Sequence, residues 1–435
     1  MDLLEKERLK TKLHRYAVRG IFQNRRILLF GGSRHLRGMW ECLTEEGYAV
    51  AGILDKDSRK SGSDYMGIPI RLPEELLQPY DKDIVVLILS NRFYREMSAL
   101  LTAMGYKKKR HFFILNDVVG SKNDESLGSF LRMLVRDQKG LLAYRRLTGG
   151  MDRHVFVVPL NGSGNVYIAG LFFQEYLKRH SITDYVFVVV SEMCRRVAEM
   201  FEIKNIVVMD AGLAEDMIRC ANFLRGRMKM TVLHDGWKSD ITRWLKGWKG
   251  LNFEEYFRCF SFDFDDAVPH RLPPRRGHSS EVAALFAKHS LQPGMTVVLA
   301  PYANTLHGYQ EALWRGIAEH FRNRGFSVCT NCASEREKPV EGTAAVFFPF
   351  SMAVEFLETA GYFVGLRSGL CDIISAAKCR KVILYEDGAV AFASSARDYF
   401  GLKKMGLCED AEEIEIGPET EELLHDIVAI LPEGE

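Results

Sequence analysis

Ala360-Gly-Tyr-Phe-Val-Gly-Leu-Arg-Ser-Gly-Leu-Cys-Asp372, continuing into Ile373-Ile-Ser-Ala-Ala377, decides how the rest of the chain is read. Residues 362–366 form a short apolar run, which fits a strand buried on both faces. Arg367-Ser368-Gly369 interrupts it. From 370 to 378 apolar residues return at helical spacing, and Arg380-Lys-Val-Ile-Leu-Tyr385 is strand-like again. Two strands joined through a helix make a parallel crossover. Polar residues at the carboxyl end of such a strand face the crevice where α/β sheets take ligands. A helix starting at Ser368-Gly369 directs free backbone N–H groups at that crevice, which suits a diphosphate. The competing reading is a plain strand–helix turn with no ligand.

Composition narrows the setting. The 435 residues leave room for two or three domains, and 47 % hydrophobic with 26 % charged residues is ordinary globular usage. A net charge of +1 gives no general bias toward nucleic acid or acidic partners. No apolar run approaches the ~18 to 20 residues of a membrane span. The charged, amphipathic start, Met1-Asp-Leu-Leu-Glu-Lys-Glu-Arg, is unlike a secretory signal. The nine cysteines are an odd, scattered set, which fits a reduced cytoplasmic setting better than a disulfide framework. Cys329-Thr-Asn-Cys332 has no second pair at zinc-site spacing, so no metal site is expected.

The chain then alternates strand and helix three times over. Residues 1–120 read as a small Rossmann-like domain, with strands at 26–30, 48–55, 83–89 and 111–115. Its glycine turn, Gly31-Gly-Ser-Arg-His-Leu-Arg-Gly38, lacks the G-x-G-x-x-G spacing that brings a backbone against a pyrophosphate, although Asp55 stands where a ribose-binding acid would. Residues 121–150 read as a linker helix. A second α/β unit covers 151–275 and a third 276–435. The fold class is therefore α/β with three Rossmann-like domains, the last two facing one another across a cleft.

Two resemblances follow from these pieces. Ile53-Leu-Asp-Lys-Asp-Ser-Arg-Lys-Ser-Gly62, Gly67-Ile-Pro-Ile70 and Leu72-Pro-Glu-Glu-Leu76 resemble the leading domain of bacterial sugar acyltransferases. Gly162-Ser-Gly-Asn-Val166, Val298-Leu-Ala-Pro-Tyr-Ala-Asn304 and Gly365-Leu-Arg-Ser-Gly-Leu-Cys-Asp372 resemble, in their order, a GT-B glycosyltransferase, most like the heptosyltransferases that take ADP-heptose. That resemblance implies transfer of a sugar from a nucleotide-sugar donor to a bacterial cell-surface glycan or lipid-linked acceptor, metal-independent and inverting. The sequence departs from the family at three places. The loop acid is Asn165, which cannot take up a proton at neutral pH. The family's Asp before the Ser/Thr is Arg367, and its His is Asp372. These departures motivate an alternative, a catalytically degenerate GT-B-fold assembly protein that partners an active transferase. A third possibility, a nicotinamide-dependent oxidoreductase using the first domain, suffers from the missing glycines.

The candidate residues follow. Ser368, Gly369 and Arg367 are expected on the donor diphosphate, with a structural ion pair as the alternative for Arg367. Asp372 is expected to accept hydrogen bonds from the sugar, ribose or base. Tyr302, Asn304 and Thr305 are expected on the donor, and His307 as general acid or leaving-group contact. Asp235 is the first candidate base, ahead of Asp210, with N-capping as the competing role; Asn165 keeps the family's loop position. Trp237, Trp244 and Trp248, interleaved with cations, suit contact with the inner face of a membrane or a place on the fold's own surface. Residues 271–278 read as a solvated linker.

Overall fold

The structure, a computed structural model, describes residues 3–31, 36–56, 58–88, 94–115, 127–224, 227–233, 251–264, 267–303, 311–333, 337–386, 395–416 and 420–430. The described residues divide into two compact units, one built on residues up to Val135 and the other on Arg136 onward.

The first unit holds strands β1 (Arg26–Phe30), β2 (Val50–Leu54), β3 (Asp64–Tyr65), β4 (Ile68–Arg71), β5 (Ile84–Ile88) and β6 (Phe112–Ile114), in the order β3-β4-β2-β1-β5-β6. Pairing is parallel except for the β3–β4 hairpin. Every residue of β5 is buried because both faces are covered, which is why parallel strands read as unbroken apolar runs. Alternate residues of β1 serve the two faces. Ile27 and Leu29 pack with Leu9 and Leu13 of α1 (Leu3–Val18) and with Met39 and Leu43 of α2 (Leu36–Glu45). Leu28 and Phe30 pack with Leu77 of α3 (Pro73–Leu77) and with Met97 and Leu101 of α4 (Tyr94–Ala103). Asp55 is bound by Lys60 at 2.9 Å, so the acid placed for a ribose holds a neighbouring cation.

The second unit carries two sheets. Helix α5 (Leu127–Thr148) runs into it, and its latter half is more than a linker. Arg219 reaches Asp137 at 3.3 Å, Arg136 binds Asp216, and Gly140 lets the helix touch the backbone at Asp216–Met217. Strands β7 (His154–Val157), β8 (Tyr185–Val189), β9 (Ile206–Val208) and β10 (Met230–Val232) pair in parallel as β10-β7-β8-β9. Helices α6 (Ser163–Arg179), α7 (Glu192–Met200) and α8 (Ala211–Leu224) connect them.

After the short helix α9 (Phe253–Tyr256), the last sheet has strands β11 (Thr296–Ala300), β12 (Ser327–Asn331), β13 (Ala344–Val346), β14 (Gly361–Leu366), β15 (Arg380–Glu386) and β16 (Ala411–Ile416). All pair in parallel, in the order β13-β12-β11-β14-β15-β16. This is the doubly wound dinucleotide-type order. Its helices are α10 (Ser279–Lys288), α11 (Glu311–Asn323), α12 (Phe350–Ala360), α13 (Gly369–Ile373), α14 (Ala396–Phe400) and α15 (Thr420–Ile430). The expected α/β class with three Rossmann-like sheets is observed, and the second and third sheets share one unit, the layout of a GT-B pair.

Strand order fixes where ligands belong. The winding reverses between β7 and β10 in one sheet and between β11 and β14 in the other, and crevices open beyond the carboxyl ends at such points. The connector 271–278 is largely exposed, as expected, but two of its arginines are engaged. Arg275 grips Glu358 of α12 with two 2.8 Å bonds, and Arg276 donates to the Glu199 carbonyl at 2.7 Å. Among the described residues no helix is long and apolar enough to cross a membrane.

Candidate functional site

Two loops meet at the reversal points. One follows β7 and ends in Gly162-Ser163-Gly164 at the start of α6; the other is the turn Arg367-Ser368-Gly369 between β14 and α13. Each rests on a buried thiol. Cys194, on the first turn of α7, donates to the Leu160 carbonyl at 3.7 Å, and Cys371 donates to the Leu366 carbonyl at 3.3 Å. Burial pushes both thiols up, so they act as neutral, packed groups.

The loops touch. A side chain at Gly369 would run into Ser163 Oγ and the Gly164 amide, and one at Gly164 would run into Asp372 Oδ2. Glycine is required on both sides because the two backbones approach too closely for any Cβ. The turn 252–257 makes a second contact between the sheets' surroundings. Asn252 donates to the Lys404 carbonyl at 2.6 Å, and the Phe253 ring packs on Phe400 at 5.1 Å.

The expected roles of Arg367 and Asp372 are corrected here. Arg367 is 8 % exposed and Asp372 1 % exposed. Arg367 Nη2 donates to Asp372 Oδ1 at 2.5 Å and Nη1 to Oδ2 at 3.3 Å. Arg367 Nε donates to the Phe400 carbonyl at 2.9 Å, and Nη1 also donates to the Ser368 carbonyl. The guanidinium lies over the Phe400 ring. The fork expected on a phosphate is thus spent inside the protein, and the carboxylate expected on a ribose is spent on the fork. Burial alone would lower the Arg367 pKa, but the facing Asp372 carboxylate raises it. Burial pushes the Asp372 carboxyl up, against the pull of Arg367. In this structure the two side chains form an ion pair, the alternative expected for Arg367.

Two neighbours complete the joint. Tyr167 of α6 is fully buried and Ser375 is 3 % exposed; their hydroxyls face one another and meet no other hydrogen-bond partner. They lie beside one another and beside Asp372, and burial raises the Tyr167 phenol. Sequence reasoning missed both, since a tyrosine in an apolar helix and a serine in the turn after α13 carry no pattern of their own.

The remaining candidates separate. Ser368 and Gly369 are half-buried at the edge of the joint, with Gly369 leading into α13. Asn165 is half-buried on the first turn of α6, its amide folded over Gly162. The Tyr302 hydroxyl donates to the Lys338 carbonyl at 2.6 Å. Asp210 caps α8 by accepting from the Leu213 amide at 3.0 Å, the role expected of a strand-end acid before a helix. Asp235, Asn304, Thr305, His307, Trp237, Trp244 and Trp248 lie outside the described residues, as do 32–35 of the glycine turn 31–38. Among the described residues no group of three or more His, Cys, Asp or Glu stands together as metal ligands.

No family model matches the chain, and no curated protein matches it. Solved structures do resemble it. E. coli ADP-heptose lipopolysaccharide heptosyltransferase II has 13 % identity and a TM-score of 0.44, over 64 % of this chain and 98 % of that one. A family 9 glycosyl transferase from Veillonella parvula has 14 % identity and a TM-score of 0.42, over 65 % and 91 %. E. coli heptosyltransferase WaaC with ADP has 10 % identity and a TM-score of 0.41, over 64 % and 99 %. Likenesses this distant carry no weight for chemistry; the fold stands on the strand orders above.

Proposed function

We propose that residues 136–435 act as a GT-B-type glycosyltransferase that moves a sugar from a nucleotide-diphosphate donor to a cell-surface glycan or lipid-linked acceptor, without a metal and with inversion. The observation that supports this is the meeting of two reversal-point loops, 162–164 and 367–369, within one unit. Paired α/β layers that meet this way form the usual cleft for a ligand shared by two lobes. In this reading Ser368 and Gly369 supply a hydroxyl and a backbone N–H to the diphosphate, with Tyr302, Asn304 and Thr305 on the donor, Asp235 as base and His307 at the leaving group. Asn165 orients the acceptor, since an amide cannot take its proton. Trp237, Trp244 and Trp248 bring the enzyme to the inner face of the membrane that holds a lipid-linked acceptor.

Calorimetric titration of the full chain with ADP, UDP, GDP and CDP and their sugars tests the donor site. ADP heads the panel because the sequence motifs resemble those of enzymes that take ADP-heptose. One nucleotide is expected to bind, and silence across the panel overturns the reading.

A specific observation favours a second reading. The Arg367–Asp372 pair and Asn165 together suit a fold that has retired from catalysis and serves as an assembly partner. Sugar transfer that disappears in Asp235→Ala with the fold intact removes that reading. Binding without transfer in the unaltered chain removes the first.

A further inference from the structure

Anion-binding equipment surrounds the joint, and the chain's own carboxylate occupies it. Helix α6 starts at Ser163 with no side-chain cap at Gly162, so its first backbone N–H groups lack that partner. The Asp372 carboxylate sits against Gly164, on that first turn. Arg367 grips the same carboxylate from the other side. Two further donors, the Tyr167 and Ser375 hydroxyls, are buried there and meet no partner beyond one another. A guanidinium fork, a helix N-terminus and two buried hydroxyls that face only one another are what a phosphate group, with more oxygens than a carboxylate, would satisfy together.

We propose that Asp372 is an internal stand-in for a ligand's phosphate: it latches the joint between α6 and α13 when no ligand is present, and yields Arg367 and the α6 N-terminus to an incoming diphosphate. The ligand then gains the ion pair that Asp372 gives up, while Tyr167 and Ser375 gain a charged acceptor. The Gly164 and Gly369 contact must part for this to happen, because no Cβ-sized space exists between them. The inference rests on the cleft being a diphosphate site, but it concerns charge at one residue and not the identity of nucleotide or sugar.

Titration of the full chain with inorganic pyrophosphate, beside ADP, tests it. Asp372→Asn keeps the shape and removes the charge. Its affinity for pyrophosphate is expected to rise about tenfold over the unaltered chain, and Arg367→Ala is expected to lose binding. Equal or weaker binding by Asp372→Asn, folded by circular dichroism, overturns the latch. Should that variant fail to fold, hydrogen exchange on the unaltered chain decides: saturating pyrophosphate is expected to protect amides 163–167 and to deprotect 370–375, and an unchanged pattern overturns the proposal. The two proposals fail separately. A tenfold gain for pyrophosphate with no nucleotide binding sinks the transferase and keeps the latch; nucleotide binding and sugar transfer indifferent to Asp372→Asn keep the transferase and sink the latch.

Discussion

Two arginine–carboxylate forks in the second unit share a chemistry and differ in burial. Arg275 and Glu358 exchange two bonds of 2.8 Å, with side chains 61 % and 21 % exposed. Arg367 and Asp372 exchange bonds of 2.5 and 3.3 Å, with side chains 8 % and 2 % exposed. An exposed pair gains little, because water and salt solvate each partner almost as well as the other partner does. A buried pair has lost that solvation, so neither half tolerates removal of the other. The same fork is therefore trim on the connector and a commitment at the joint.

The largest expected effect breaks the buried fork. Arg367→Ala and Asp372→Ala should each lose about 3–5 kcal/mol in urea unfolding, because a buried charge is left without its partner. The double variant should recover part of that loss, since no orphan charge remains. A loss under about 1 kcal/mol in both single variants would make the two forks equivalent and dissolve the comparison.

Next in size comes the contact that keeps the fork dry. Gly164→Ala and Gly369→Ala each place a methyl where Asp372, Ser163 or the opposite backbone already sits. Overpacking of this kind costs about 1–3 kcal/mol. It should also wet the joint, so faster exchange of the amides at 367–372 is the expected companion. Unchanged exchange with full stability would mean that the backbones can part without consequence.

How much of this the sequence disclosed depends on the kind of information. The runs Ile84–Ile88, Tyr185–Val189 and Gly361–Leu366 announced themselves because a strand covered on both faces leaves no polar position. Strand β16, Ala-Glu-Glu-Ile-Glu-Ile, did not, since an edge strand keeps charges along it. The turn at 367–369 was legible as a turn at a strand's carboxyl end. Whether Arg367 faced a ligand or Asp372 was not, because five residues of spacing permit either and the choice is made by α6, some two hundred residues earlier in the chain. Tyr302 shows the same limit: its hydroxyl is taken by Lys338, 36 positions away.

Burial without a countercharge sharpens the contrast further. His154 opens β7, bonds Thr231 Oγ1 through Nε2 at 2.8 Å and stacks on Phe156. No carboxylate is among the groups that shift it. Burial, with help from His180 and Lys229, takes its pKa to about 4, from an ordinary imidazole value of about 6.5. The folded state thus prefers the neutral ring. Its contribution is whole above about pH 6.5 and is lost as the pH falls toward about 4, where the unfolded chain binds the proton first. His154 remains partly exposed, so solvent softens the effect. His154→Gln should flatten the acid limb of the stability curve between those values. An acid limb of the same slope would place the responsible group elsewhere.

The smallest expected effect is at the exposed fork, and it is the most discriminating about the connector. Arg275→Ala removes a cation that is 61 % exposed, and Glu358 still accepts from the Lys378 amide at 3.0 Å. Glu358 is held low chiefly against its own burial, by the bonds from Arg275 and Lys378, so one of two supports survives the substitution. The loss should lie between about 0.2 and 1 kcal/mol in dilute buffer. It should shrink in 1 M salt, where charges are screened beyond about 3 Å. A loss above about 2 kcal/mol that ignores salt would mean that Arg275 clasps the connector to α12 through packing, and that exposure alone does not separate the two forks.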